Sequence, residues 1–274
     1  MTVLQKLEKH WEKGKFVCLG SDSDYSKIPS FLKLGKSIEQ SILSFNKKII
    51  DETHDLICAY KPNSAFYESY GIEGLIALKK TIQYVRKKYP KIFIILDAKR
   101  ADIGNTNLGY VKFAFDELCA DAITVNPYLG QEALEPFLAR KDKLIFILVK
   151  TSNPGANEFQ NLEIKGKALY KVIAENISKK WNKNGNCGVV VGATYPAELK
   201  IVRKIVGDMP ILIPGIGAQD GDIKETVKAG KDSRGFGMIV NSGRAIIFAS
   251  KEKDFAKAAR QKTIELSNEI KRYL

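Results

Sequence analysis

Three charged residues of alternating sign follow a short apolar segment. Residues 92–96 are apolar and rich in β-branched side chains, which is typical of a buried strand. Asp97, Lys99 and Asp102 come next. If the strand continues through Lys99, its side chain and that of Asp97 project to the same side, because the side-chain period is two. A fixed ammonium group in a water-poor pocket can stabilise developing negative charge, and neighbouring carboxylates favour its charged form. A surface ion pair is the plainer alternative.

Two further loops have the composition of an anion site. Residues 214–219 read Pro-Gly-Ile-Gly-Ala-Gln, and glycines let backbone N–H groups approach an anion closely. The guanidinium of Arg244 can bind a phosphate with two hydrogen bonds. Glycine turns and a structural arginine are the alternative interpretation. Because phosphate sites in barrels commonly lie in the last two strand-to-helix loops, the pair predicts a phosphorylated ligand.

The positions of these residues are set by a regular alternation of strands and helices. The predicted strands are 16–19, 55–60, 92–97, 121–125, 144–149, 187–191, 211–213 and 236–240. The predicted helices are 2–13, 38–50, 65–89, one with Asn105 as its N-cap that runs to about 118, one that ends near 139, 167–181, 197–206 and 253–272. No linker interrupts the series, so we expect a single-domain (β/α)8 TIM barrel over residues 1–274, with a doubly wound open sheet as the alternative.

Composition excludes several functional classes. The formal charge is +13, but many of the lysines fall late in predicted helices and no recognition motif accompanies them, so we expect no nucleic-acid partner. Two histidines are too few for a histidine-rich metal site or a Ser–His triad. No apolar run is long enough to cross a membrane, and the four cysteines are scattered singly. We therefore expect a soluble cytoplasmic protein with reduced thiols.

The segment Asp-Ala-Lys-Arg-Ala-Asp-Ile-Gly-Asn-Thr at residues 97–106 resembles the signature of the orotidine 5′-monophosphate decarboxylase family. Its longer, type 2 subfamily of bacterial and protozoan-like sequences is the most similar. Five more segments resemble that subfamily in the same order: Lys61-Pro62-Asn63, residues 124–130, 151–155, 192–196 and 214–219. The resemblance covers residues 16–248. It implies conversion of orotidine 5′-monophosphate to uridine 5′-monophosphate and carbon dioxide in pyrimidine biosynthesis, with no metal or organic cofactor.

The resemblance also implies the catalytic roles. Lys99 would donate a proton to C6 of the pyrimidine as carbon dioxide leaves, and Asp97 would lie beside the substrate carboxylate. Asp102 would complete the charged array with Lys61. In a homodimer, Asp102 and Thr106 would reach the partner's site, where Thr106 would meet the ribose hydroxyls.

The remaining contacts implied by the resemblance hold the substrate. Asp22, together with Lys61, would contact the ribose, and Ser152 would contact the pyrimidine edge. Gln219 and Arg244 would hold the phosphate. The sequence departs from the family pattern at two places: Ser21 precedes the aspartate where leucine is usual, and Asp220 follows the glutamine where glycine is common.

Three other functions remain as alternatives at this point. A related sugar-phosphate decarboxylase or lyase of the same superfamily would use magnesium and lose activity with a chelator. A class I aldolase would need Lys99 to lose its proton, which flanking acids oppose. A basic nucleic-acid-binding module would show salt-dependent binding.

Overall fold

The structure is a computed structural model that describes residues 2–217 and 221–274. Ten strands follow one another along the chain: β1 Val17–Gly20, β2 Ala59–Lys61, β3 Phe93–Arg100, β4 Ala122–Val125, β5 Leu144–Lys150, β6 Glu163–Ile164, β7 Lys167–Ala168, β8 Cys187–Val191, β9 Ile211–Pro214 and β10 Met238–Ser242. Eight are parallel and close a barrel in the order β1-β10-β9-β8-β5-β4-β3-β2, whereas β6 and β7 form a separate antiparallel hairpin. The predicted (β/α)8 barrel is therefore confirmed.

Helices cover the outside of the barrel. They are α1 Val3–Trp11, α2 Ile38–Thr53, α3 Ala65–Glu68, α4 Gly71–Lys88, α5 Gly104–Val111, α6 Gly130–Leu138, α7 Ala156–Gln160, α8 Leu169–Asn176, α9 Pro196–Val206, α10 Ile223–Gly230, α11 Arg244–Ile247 and α12 Phe255–Lys271. The π-helical segments Lys112–Glu117 and Ile177–Trp181 extend α5 and α8. Across residues 2–217 and 221–274, none of the helices combines the length and apolar composition that a membrane span requires.

The barrel strands are apolar along most of their length because both of their faces are covered. All the residues of β1, β4 and β8 are buried, as parallel strands between side-chain layers and helices should be. Val17 pairs with Val240 where β1 meets β10, and this pairing closes the barrel. Outside the barrel, the ring of Phe45 on α2 stacks between Phe248 and Phe255, at centroid distances of 5.5 and 5.2 Å. Closure brings the carboxyl ends of all eight strands to one mouth.

Several predicted boundaries are wrong. The long helix predicted for residues 65–89 is two helices, since Gly71 has a left-handed φ of 57° and the chain changes direction there. Asn105 is not an N-cap: α5 begins at Gly104, and the N-cap position is held by Ile103 without a side-chain hydrogen bond. The prediction also missed α10, although Asp222 caps it by accepting a hydrogen bond from the backbone N–H of Glu225.

Candidate active site

A single carboxylate connects three neighbouring strands at the mouth of the barrel. Lys61, the last residue of β2, donates from Nζ to Oδ2 of Asp97 on β3 at 2.8 Å. Lys99 Nζ donates to the other oxygen, Oδ1, at 2.7 Å. The hydroxyl of Thr124 on β4 also donates to Oδ1, at 2.8 Å. The structure thus brings together three of the four predicted catalytic residues and fixes the carboxylate from both sides.

Burial and charge act in opposite directions on this group. Asp97 is only 8% exposed, and burial alone would raise its pKa. The ammonium groups of Lys61 and Lys99 outweigh burial and hold the pKa of Asp97 well below its usual range. Burial would likewise lower the pKa of Lys61, but the carboxylates of Asp97 and Asp22 raise it above its ordinary value. Asp97 and Lys61 are therefore both charged at neutral pH.

Lys99 departs from regular strand geometry. Its φ is 48°, in the left-handed region that non-glycine residues rarely adopt, and the pairing of β3 with β4 shifts register between Leu96 and Arg100. The backbone N–H of Lys99 donates to the Thr124 hydroxyl at 3.0 Å, which helps to hold this conformation. The condition of regular strand geometry through Lys99 is therefore not met. The ammonium nevertheless meets Asp97, and 47% of the side chain is exposed, so a ligand can reach it.

Asp22 lies where β1 and β10 approach each other closely. A Cβ atom on Gly20 would come within 3.0 Å of the Gly243 Cα, so only glycine allows this approach. The Oδ1 atom of Asp22 is buried and accepts no hydrogen bond from the described residues. Buried carboxylate oxygens normally have a partner. This oxygen is therefore an acceptor suited to a ligand hydroxyl.

A buried polar network fixes the backbone next to Asp22. The Ser23 hydroxyl donates to Asn46 Oδ1 at 2.6 Å, and Asn46 Nδ2 donates to the Tyr67 hydroxyl at 3.1 Å. The Tyr67 hydroxyl donates in turn to the carbonyl of Ser21 at 3.0 Å. These bonds tie the loop after β1 to α2 and α3, so Ser21, the departure from the family pattern, contributes its backbone here.

Ser152 follows β5 and packs against the loop after β8. A Cβ atom on Gly192 would come within 2.7 Å of the Cα and Cβ atoms of Ser152, so this contact requires glycine. The Thr194 hydroxyl donates to the carbonyl of Ser152 at 3.3 Å. Ser152 is therefore held in position by two neighbouring strand ends.

Lys150 and Thr124 are two residues that the sequence analysis did not assign a role. Lys150 is fully buried at the end of β5, and its Nζ donates to the side-chain oxygens of Asn157 and Asn161 at 2.8 and 2.9 Å. The same Nζ lies 4.4 Å from the centre of the Tyr195 ring. Burial lowers the pKa of Lys150. The position of Lys150 and Thr124 near strand ends was the only sequence feature that could have indicated a role for them. Nothing in the sequence shows which side chains they contact.

Asp102 and Thr106 do not join the charged cluster of their own chain. Asp102 Oδ1 accepts a hydrogen bond from the backbone N–H of Ile103, and Asp102 forms no ion pair with any described residue. Thr106 is exposed on α5. The neighbouring Ile103 and Leu108 are also exposed, by 62% and 56%. Polar and apolar side chains are therefore exposed together on this part of the surface.

The two loops of the predicted phosphate site are adjacent. Gly217 has a φ of 81°, and a Cβ atom there would come within 3.3 Å of Ala245. Arg244 is the first residue of α11, is exposed, and forms no ion pair within residues 2–217 and 221–274. Gln219 and Asp220 lie outside the described residues, so the predicted role of Gln219 stays a prediction.

The charge pairing around Asp97 predicts a pH-dependent loss of stability. Asp97→Asn should lower the free energy of unfolding by about 3 kcal/mol at pH 7, because it leaves the buried Lys61 without its main partner. The folded-state pKa of Asp97 is depressed, so its stabilisation is complete above about pH 4 and declines as pH falls, by roughly 1.4 kcal/mol per pH unit. Denaturant unfolding of the wild type and the Asp97→Asn variant between pH 2.5 and 7 measures the gap between their free energies of unfolding. A gap that stays constant over that range would contradict the assignment.

Known proteins are similar to this chain in sequence and in fold. A chain from Janthinobacterium sp. (strain Marseille) named orotidine 5′-phosphate decarboxylase is 48% identical over 275 residues, covering 100% of both chains. The structure of Leishmania donovani OMP decarboxylase superposes with a TM-score of 0.84 at 36% identity, covering 98% of this chain and 99% of the other. Leishmania donovani UMP synthase gives a TM-score of 0.85 at 38% identity, and there the match covers 98% of this chain but 56% of the longer protein.

One protein family matches most of the chain. The sequence model of one family matches residues 38–259, a range that includes the Lys61–Asp97–Lys99 cluster and Arg244. Together with the full-length relatives, this match shows that the chain belongs to the orotidine 5′-phosphate decarboxylase / HUMPS family.

Proposed function

We propose that this protein is a carboxy-lyase that converts orotidine 5′-monophosphate to uridine 5′-monophosphate and carbon dioxide in pyrimidine biosynthesis. The observation that carries the proposal is the Asp97 carboxylate held between the ammonium groups of Lys61 and Lys99, at 2.8 and 2.7 Å. Relatives that match the whole chain bear the name of this activity. The reaction needs an electrostatic site and a proton donor, and these side chains can supply both without a cofactor.

The proposed reaction has one bond-breaking and one bond-forming step. The bond from C6 to the carboxylate breaks, carbon dioxide leaves, and the electron pair stays on C6. Lys99 stabilises that pair by its charge and transfers a proton from Nζ to C6, which leaves a neutral amine that regains its proton from water. An ammonium aimed at the developing charge lowers the barrier because it interacts more strongly with the transition state than with the substrate.

Asp97 has two functions in this scheme. It keeps the flexible Lys99 side chain in one place and favours its charged form, since the two groups are 2.7 Å apart. It would also lie beside the carboxylate of the substrate, where the repulsion between the two anions is relieved when carbon dioxide leaves. Lys61 holds Asp97 from the other side, so that the carboxylate cannot turn away.

The other proposed contacts hold the substrate around this centre. The buried Oδ1 of Asp22 would accept a hydrogen bond from a ribose hydroxyl, and Ser152 would contact the pyrimidine edge. Arg244, with Gln219, would bind the phosphate next to the glycine loop after β9. Binding energy from this remote phosphate can be used to orient C6 against Lys99.

We further propose a homodimer in which Asp102 and Thr106 enter the partner's site. Two observations support it: the Asp102 carboxylate has no ion pair with a described residue, and large apolar side chains are exposed beside it. Ile103, just before α5, and Leu108, on α5, are 62% and 56% exposed. Large exposed apolar side chains near one another are typical of a protein interface.

A cytoplasmic location is the remaining proposal. All four cysteines are free, and three of them are buried, which suits a reducing compartment. Recovery of the activity in the membrane pellet after cell fractionation would contradict this location.

Lys99→Ala should abolish decarboxylation while the barrel remains folded. We expect kcat/KM for orotidine 5′-monophosphate to fall by roughly 10³-fold or more, because charge stabilisation and proton donation are lost together. Lys141→Ala is the matched control, because Lys141 is exposed like Lys99 but its side chain has no hydrogen-bond or ion-pair partner among the described residues. The assay follows the absorbance change of the pyrimidine in the presence of a chelator. Near-normal turnover by a folded Lys99→Ala protein would refute the role of the lysine.

Arg244→Ala should act through the phosphate alone. We expect kcat/KM for orotidine 5′-monophosphate to fall by roughly 10- to 100-fold, which corresponds to the loss of a charge-assisted hydrogen bond. The slow decarboxylation of orotidine, which lacks the phosphate, should not change. An equal loss with both substrates would show that Arg244 is structural.

Subunit complementation tests the dimer. Lys99→Ala and Asp102→Ala should each be inactive alone, but mixed subunits should regain activity because one of their two sites then carries an intact Lys99 and an intact Asp102. Random assortment of equal amounts in a two-fold symmetric dimer should restore about a quarter of wild-type activity. No recovery after refolding the mixture would place both residues in the same subunit's site.

A further inference from the structure

A second cavity lies at the opposite end of the barrel from the charged mouth. It has a volume of about 650 Å³, within the range of small-molecule sites. Its wall is formed by α1, by the segment before β1, by the end of α2 and by the segment between α4 and β3. We call it the basal cavity. Nothing in the proposed decarboxylation uses it.

The wall of the basal cavity carries a large excess of positive charge. Among the residues that the structure describes, six lysines line it, whereas Asp55 is the only carboxylate that does so. The two terminal guanidinium nitrogens of Arg260 already donate to that carboxylate, at 2.6 and 2.8 Å. Two of the lysines also have acidic partners, since Lys6 pairs with Asp121 and Lys88 with Asp51.

Four ammonium groups remain without an acidic partner. Lys9, Lys13, Lys15 and Lys91 form no ion pair with any residue in the described part of the chain. Lys15 is only partly exposed. Burial lowers its pKa, the nearby Asp55 carboxylate opposes this shift, and the charges of Lys13 and Lys271 add to the lowering. The cavity therefore concentrates a positive potential that the protein itself does not neutralise.

The wall also has an aromatic part. The rings of His54 and Tyr89 lie parallel at a centroid distance of 4.0 Å, and both residues line the cavity. The ring of His10, the other histidine of the chain, lines it too and is fixed by a 2.9 Å hydrogen bond with the carbonyl of Lys91. Flat rings beside ammonium groups can contact both a planar base and its phosphates.

We propose that the basal cavity binds a small molecule with two or more linked phosphate groups. Lysine ammonium groups bind phosphate as point charges, and four of them exceed what a single carboxylate or monophosphate can neutralise. The linked phosphates could belong to a nucleoside polyphosphate or to inorganic polyphosphate. This site is distinct from the mouth and does not depend on the proposed decarboxylation.

Inorganic triphosphate tests the proposal by calorimetric titration in magnesium-free buffer. The triple variant Lys9→Gln, Lys13→Gln, Lys91→Gln removes three of the four unpaired charges from the cavity. Its matched control is Lys200→Gln, Lys204→Gln, Lys224→Gln, which removes three exposed lysines from α9 and α10. We expect at least a tenfold loss of affinity in the basal variant and wild-type affinity in the control.

A third protein, Arg244→Ala, separates the cavity from the mouth. Triphosphate affinity should be unchanged in this variant, and loss of binding there would overturn the proposal. An equal loss in both triple variants would also overturn it, because binding would then reflect net charge alone.

Two further ligands identify the source of the phosphates. Tighter binding of ATP than of triphosphate would support a nucleotide with its base against the His54–Tyr89 pair, and equal affinity would support the phosphate chain alone. Tighter binding of a single-stranded oligonucleotide that triphosphate does not displace would overturn a small-molecule site.

Discussion

The arrangement of the mouth depends on keeping one buried carboxylate ionised. Asp97 is almost removed from water, where an unpaired charge would be unstable, and the ammonium groups of Lys61 and Lys99 make its ionised form the stable one. The carboxylates of Asp97 and Asp22 likewise stabilise the charged form of the buried Lys61 ammonium. The three groups form a charged unit whose members stabilise one another, and Lys99 is the member that remains accessible.

The barrel supplies the positions that this unit requires. Lys61, Asp97 and Thr124 come from three adjacent strands, so strand pairing fixes their separation before any side chain is placed. Lys99 lies in the irregular stretch of β3 between Leu96 and Arg100, in a left-handed conformation that costs energy. That conformation directs its ammonium back to Asp97 while leaving the side chain open to the mouth. At Lys99, a strained backbone conformation thus places the side chain where Asp97 can hold it.

Much of this could be predicted from the sequence, for identifiable reasons. The strand 187–191 was predicted with its observed bounds, since a short apolar run between polar segments leaves little choice. The cluster of Asp97 and Lys99 was predicted from its place after a strand. The left-handed φ of Lys99 could not be predicted, because it depends on the Thr124 hydroxyl from another strand. The break at Gly71 was missed because the apolar spacing continues across it. The partners of Lys150 are side chains of a short helix that has no strong sequence signal.

In the proposed reaction the Lys99 ammonium faces C6 of the pyrimidine, the carbon that loses its carboxylate. A crystal structure with a uridine 5′-phosphate analogue that carries an anionic oxygen at C6 measures this directly, because the oxygen lies where negative charge develops. We expect Lys99 Nζ to lie at about 3 Å from that oxygen while it still contacts Asp97, with the phosphate at Arg244. An analogue bound with Lys99 turned towards solvent, or with its C6 side away from the Lys61–Asp97–Lys99 cluster, would contradict it.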